Sequence, residues 1–225
     1  MFGSFNLDQS LQIIVILLIS VTLHELAHAI TADRLGDPTP RRNGQLTLNP
    51  AAHIDQFAML FMVIAALAGF LFAFGRTYVN PQNLKFGPQR GGAIVAAAGP
   101  LTNLAIALVL GLFLRLNEAH GCNLFPLSAN ETVNAANFIF LAIEANLILF
   151  LFNLIPIPPL DGFTILSGFL TPRQLYAIAP MVQYAPYLLL ILVLVSFQTN
   201  FFTNDIFAPV LERFQSWILL PATLC

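Results

Sequence analysis

Apolar residues run through this chain in long blocks, at roughly 11–32, 57–75, 92–116, 135–157 and 181–201, and the stretches between them collect the polar residues. Each block approaches the ~20 apolar residues that a helix needs to cross a bilayer. The pattern predicts an all-α polytopic membrane protein, a helical bundle of about four to five transmembrane spans. Residues 205–220 read differently. There Phe207, Val210, Leu211, Phe214, Trp217 and Ile218 recur at helical spacing, with Glu212, Arg213, Gln215 and Ser216 between them. That is the stripe of a helix lying in the membrane interface. Ala27-His28-Ala29 resembles a signal-peptide cleavage site, but no Lys or Arg precedes Arg34, so the first block is read as a retained span.

Composition agrees with the pattern. Of 225 residues, 57% are apolar and 9% charged, against about 25% charged in soluble domains. The loops are too short for cores of their own, so residues 1–225 are read as a single membrane-embedded domain. Nine basic and 11 acidic residues, with no block of either sign, speak against nucleic acid as a partner. The bilayer and a membrane protein or peptide remain. Cys122 and Cys225 have neither the number nor the spacing of a thiolate metal site or a disulfide framework. Nothing in the sequence addresses oligomeric state.

The chemistry begins at His24-Glu25-Leu26-Ala27-His28, late in the first block. With about 3.6 residues per turn, both imidazoles fall on one helix face. Catalytic zinc takes three protein ligands and leaves its fourth position to water. Glu25 is then placed to take a proton from that water as it attacks a carbonyl carbon. A carboxylate and two imidazoles inside an apolar span are costly, and such groups are functional by default. Candidates for the third ligand are His53, His120, Glu144, Asp55 and Asp161. Asp161 is preferred, because the prolines at 156, 158 and 159 force broken backbone just before it, at the end of an apolar block. Such backbone is tolerated at that depth only beside a cavity or buried in protein.

If His28 and Asp161 share a metal they lie at one depth, and both end their blocks, so blocks one and four run parallel. One full crossing between them, 92–116, satisfies that. The block at 57–75 is then re-entrant, with short extended or hairpin elements near the active site. Under this topology Arg34, Arg41, Arg42, Arg76, Lys85, Arg90 and Arg173 share one side, with Arg115 and Arg213 opposite. The bias places the zinc toward the cytoplasm.

His24 to His28, together with Asn153-x-x-Pro156-x-x-Pro159-Leu160-Asp161-Gly162, resembles the site-2 protease family of intramembrane zinc metalloproteases, peptidase family M50. Ala98-Gly99-Pro100-Leu101-x-Asn103, and Leu46 to Pro50 with His53-Ile54-Asp55, are similar to its compact bacterial-type branch without a PDZ insertion. The likeness covers about 11–200. It implies one zinc per chain bound by His24, His28 and Asp161, Glu25 as general base, and Asn153 holding the substrate carbonyl. Phe163-Thr164 departs from the family pattern, where a second glycine and an arginine are common.

The expected function is hydrolysis of transmembrane or membrane-anchored proteins, whose helix must unwind to expose an amide. Residues 45–49 and 154–160 are candidates to pair with the unwound segment by strand addition. The alternatives are a metal-ion transporter, which needs several weak sites or an internal repeat, and a non-catalytic scaffold, which the intact His, Glu and Asp set opposes.

Overall fold

The computed structural model describes residues 7–54, 56–67, 74–119, 135–185, 187–188, 191 and 208–218. Most of the expected span at 181–201, together with Asp55, His120, Cys122 and Cys225, lies outside them. Helices α1 (Leu7–Arg34) and α4 (Gly87–Ala119) are long and apolar enough to cross a membrane. At 1.5 Å per residue, the 28 residues of α1 span roughly 42 Å, more than a bilayer core of ~30 Å. Helix α5 (Ala135–Asn153) is apolar and shorter, and it ends where the proline-rich stretch begins. Short helices α2 (Thr39–Arg42), α3 (Gln56–Leu67), α6 (Asp161–Ser167) and α7 (Pro172–Val182) lie along the connections, and α8 is Ala208–Ile218.

Contacts give the helix directions. Val95 and Asn103 of α4 meet His28 and His24 of α1, so these two helices are antiparallel. Ile16 packs with Ala142, and Ser20 bonds Asn146, so α1 and α5 run parallel, as a shared metal requires. Ile13, Leu17 and Val21 of α1 pack with Met62 and Ala66 of α3 and Leu149 of α5. At the far end from the histidines, Leu211 and Phe214 of α8 cover Leu114 of α4 and Ile143 of α5. The expected amphipathic stripe thus has a bundle to lie on.

One expectation is corrected. No strand or hairpin forms among the described residues, and both 45–49 and 154–160 run mostly as bends and turns. In the latter the chain turns repeatedly, Ile157 N–H donating to Ile155 O and Leu160 N–H to Ile157 O, with a cis bond at Pro158-Pro159. Consecutive prolines remove the donors a ladder needs. Extended backbone occurs instead at 74–80. Exposure alternates residue by residue there, Gly75, Thr77 and Val79 half-buried and their neighbours exposed. Period two is the signature of an extended chain.

Candidate metal centre

His24 and His28 are both 7% exposed, one turn apart on α1. Their Nδ1 atoms face acceptors: Asn103 Oδ1 at 2.6 Å from His24 and Val95 O at 2.7 Å from His28. In the neutral rings those nitrogens carry the protons, and both Nε2 lone pairs are bare. The bare nitrogens nevertheless lie 3.0 Å apart, and Asp161 Oδ2 lies 3.1 Å from one and 3.3 Å from the other. Three acceptors crowded together with no donor between them call for a cation. Ligands ~2.0–2.1 Å from a tetrahedral zinc stand roughly 3.3 Å apart, so the triangle has the size of a zinc site.

Gly99 supplies the room. A Cβ at this position would run into Nε2 of both histidines. A second glycine shapes the carboxylate arm, since a Cβ at Gly162 would meet the backbone of Leu154 and Ile155. That close approach folds the chain back and presents Asp161 as the first residue of α6. The departure at Phe163-Thr164 is accommodated: Thr164 packs on Gly92 of α4, 3.8 Å from the position a Cβ would take.

Behind the histidines, a polar relay crosses three helices. Asn146 Nδ2 donates to Ser20 Oγ at 2.9 Å, and Asn103 Nδ2 donates to Asn146 Oδ1 at 3.0 Å, which leaves Asn103 Oδ1 to accept from His24. Both asparagines are buried, and each is bonded by partners that fix its amide orientation. Partners of this kind orient metal-binding imidazoles and set their tautomers.

The cluster opens into a cavity of about 560 Å³ lined also by Glu25, His53, Thr77 and Asn153. Glu25 is buried, and Thr77 Oγ1 lies 2.7 Å from its Oε2. Asn153 donates one amide hydrogen to Leu149 O at 2.9 Å, which leaves a second. His53 and Glu144 do not join the metal-type cluster. His53 Nε2 donates to Thr47 O at 2.9 Å and its carbonyl accepts from Arg76 N–H, so it serves the loop. Its buried Nδ1 has no partner among the described residues.

His24, His28 and Asp161, singled out from the sequence, thus converge. Asn103, Gly99, Gly75 and Thr77 join the site without a role expected from sequence. Asn103 carried a usable signal, an amide within an apolar block, four residues after Gly99 and so on the same helix face. Thr77 carried none.

The model for peptidase family M50 matches residues 12–195. A Bacillus subtilis protein provisionally named zinc metalloprotease YwhC is 37% identical over 162 residues, 71% of this chain and 69% of that protein. Proteins named in the same provisional way as zinc metalloprotease Rip2 are 36% identical in Mycobacterium tuberculosis and 34% in Mycolicibacterium smegmatis. Those matches cover 79% and 80% of this chain, and 64% of each Rip2, a little under two thirds of its length. No solved structure gives a significant match.

Proposed function

This chain belongs to peptidase family M50, and on that premise we propose that His24, His28 and Asp161 hold the zinc with which it hydrolyses membrane protein substrates. It is a membrane-embedded zinc metalloprotease. The observation that carries the site assignment is the triangle of bare acceptors at 3.0 to 3.3 Å beside the space that Gly99 leaves. When bound there, zinc acidifies a water and polarises the scissile carbonyl. Glu25, in the same cavity, accepts the water's proton and returns it to the leaving amine. The second amide N–H of Asn153, which lines the same cavity, donates to the oxyanion. Among the described residues this is the one group of metal-type ligands, so the series of sites a transporter needs finds no support.

The finer topology proposed is four to five spans in a single domain over 1–225, with 57–75 re-entrant. The return of the chain supports it: Arg76 N–H bonds His53 O at 2.8 Å, so both ends of that block meet. A full crossing would separate them by ~30 Å. The same end holds Asp37, Asn80 and the start of α4, and the charge bias supports a cytoplasmic location for it, in what we take to be a bacterial cell membrane. The extended stretch 74–80 is the better candidate to pair with an unwound substrate, since it borders the cavity. Arg76 and Tyr78 use one edge, while the backbones of Thr77 and Val79 have no partner among the described residues.

The test is proteolysis of a model single-span substrate by purified wild type and Glu25→Gln. Wild type should cut, and the variant should keep its zinc and lose at least ~100-fold in turnover, the scale of general-base catalysis. Turnover by Glu25→Gln within about tenfold of wild type, at equal zinc, would sink the mechanism.

A further inference from the structure

From outside its own helix, the stretch that holds Gly75 and Thr77 bounds the Glu25 side chain. A Cβ at Gly75 would run into Glu25 Cγ, Cδ and Oε1, so only glycine leaves space for the carboxylate where it lies. Two residues on, Thr77 Oγ1 approaches Glu25 Oε2 at 2.7 Å and Glu25 O at 2.9 Å. A hydroxyl has one proton and donates to one of these at a time. The carboxylate is the stronger acceptor, because a bond to an ionised group is about twice as strong as one between neutral groups.

The stretch is itself held from the other side. Arg76 N–H donates to His53 O at 2.8 Å, Gln45 Nε2 donates to Arg76 O at 2.7 Å, and Tyr78 N–H donates to Gln45 Oε1 at 2.8 Å. Asn80 N–H closes the series on Asp37 Oδ2 at 2.6 Å. Alternate residues are pinned to the loops while Gly75 and Thr77 face Glu25. The segment is a fixed wall for the carboxylate.

We propose that Thr77 is a positioning residue for Glu25: its hydroxyl ties down Oε2 and leaves Oε1 to meet the attacking water. The proposal rests on Glu25 being the general base. Thr77 keeps its own proton throughout. The proton that moves passes from water to Glu25 and from Glu25 to the leaving amine. What the hydroxyl supplies is orientation, so its loss should lower the rate of the chemical step and leave zinc and substrate binding in place.

The experiment compares Thr77→Val, Thr77→Ala and Thr77→Ser with wild type and Glu25→Gln, reading zinc content, KM and kcat on the single-span substrate. Thr77→Val, nearly isosteric, should keep zinc and KM and lose on the order of ten- to a hundredfold in kcat, the effect of one hydrogen bond to a charged group. Thr77→Ala should behave alike, and Thr77→Ser should recover most of the rate. Wild-type kcat in Thr77→Val, or a Thr77→Ser variant as slow as Thr77→Val, would overturn the proposal. So would loss of zinc in both Thr77→Val and Thr77→Ala, since the hydroxyl would then hold the fold and not the carboxylate. Wild type and Glu25→Gln keep the two readings apart. Failure of wild type to cut, or cutting by Glu25→Gln, defeats the protease mechanism, whereas normal controls with a fast Thr77→Val defeat only the role of Thr77.

Discussion

Gly99 and Pro100 stand inside α4, where a helix least wants them: in a helix interior they cost about 1 and about 3 kcal/mol relative to alanine. A helix keeps such residues when their shape serves something else. For Gly99 that is the empty space against both Nε2 atoms. The opposition of local and tertiary demands gives a prediction. Wild type should hold about one zinc per chain. Gly99→Ala should lose most of it, and the metal-free protein should also lose roughly 1–3 kcal/mol, because the added methyl must displace both rings and that overpacking outweighs the ~1 kcal/mol from a better helix former. Elemental analysis and thermal unfolding of metal-free protein measure both. Full zinc in Gly99→Ala would mean that the metal sits elsewhere.

Elements are joined here by buried side chains that stand in for backbone. Asp37, fully buried in the turn after α1, accepts from the Thr39 hydroxyl and amide, the Asn83 side chain and the Asn80 amide. Burial works against its charge, but these donors outweigh it and hold the carboxyl below its ordinary value of 3.8. A depressed value means the unfolded chain binds the proton more readily, so the contribution to stability is complete above about pH 5 and is lost as the pH falls through the native value. Asp37→Asn should therefore melt below wild type at pH 7, by roughly 1–3 kcal/mol, with the gap closing toward pH 3. A gap unchanged across that range would contradict the account. Such residues also mark where the sequence was hard to read. The HELAH helix was legible because ionisable types are rare in an apolar run, and Asp161 and the end of α5 at Asn153 were legible because prolines stand between them. Asp37, Gln45 and Thr77 sit in loops, where polar residues are ordinary. The partners that tie them to other elements are 31 to 52 positions away, as for Gln45 with Arg76 and Thr77 with Glu25, and local pattern holds no trace of those. The strand expected at 154–160 failed for a local reason, because prolines that break a helix also deny donors to a sheet.

For the whole molecule, one assembled end carries the turn after α1, the return at Arg76, the start of α4 and the start of α6, while α8 covers the other. In a background of Cys122→Ser and Cys225→Ser, Asn43→Cys and Gln82→Cys should be labelled by an impermeant thiol reagent from the same side of the membrane. Cys122, retained alone, should be labelled from the opposite side. Opposite labelling of positions 43 and 82 would refute the re-entrant block and the charge argument built on it. The relay from Ser20 through Asn146 and Asn103 to His24 has a consequence for the protein's biosynthesis. A chain emerging into the membrane inserts its two imidazoles early, yet the carboxylate that completes the set follows 137 residues later, and the amides that aim the first ring come from two further helices. A half-made or misassembled copy is thus a disarmed one. On the proposed ligand set, the blade cannot be armed until the sheath around it is built.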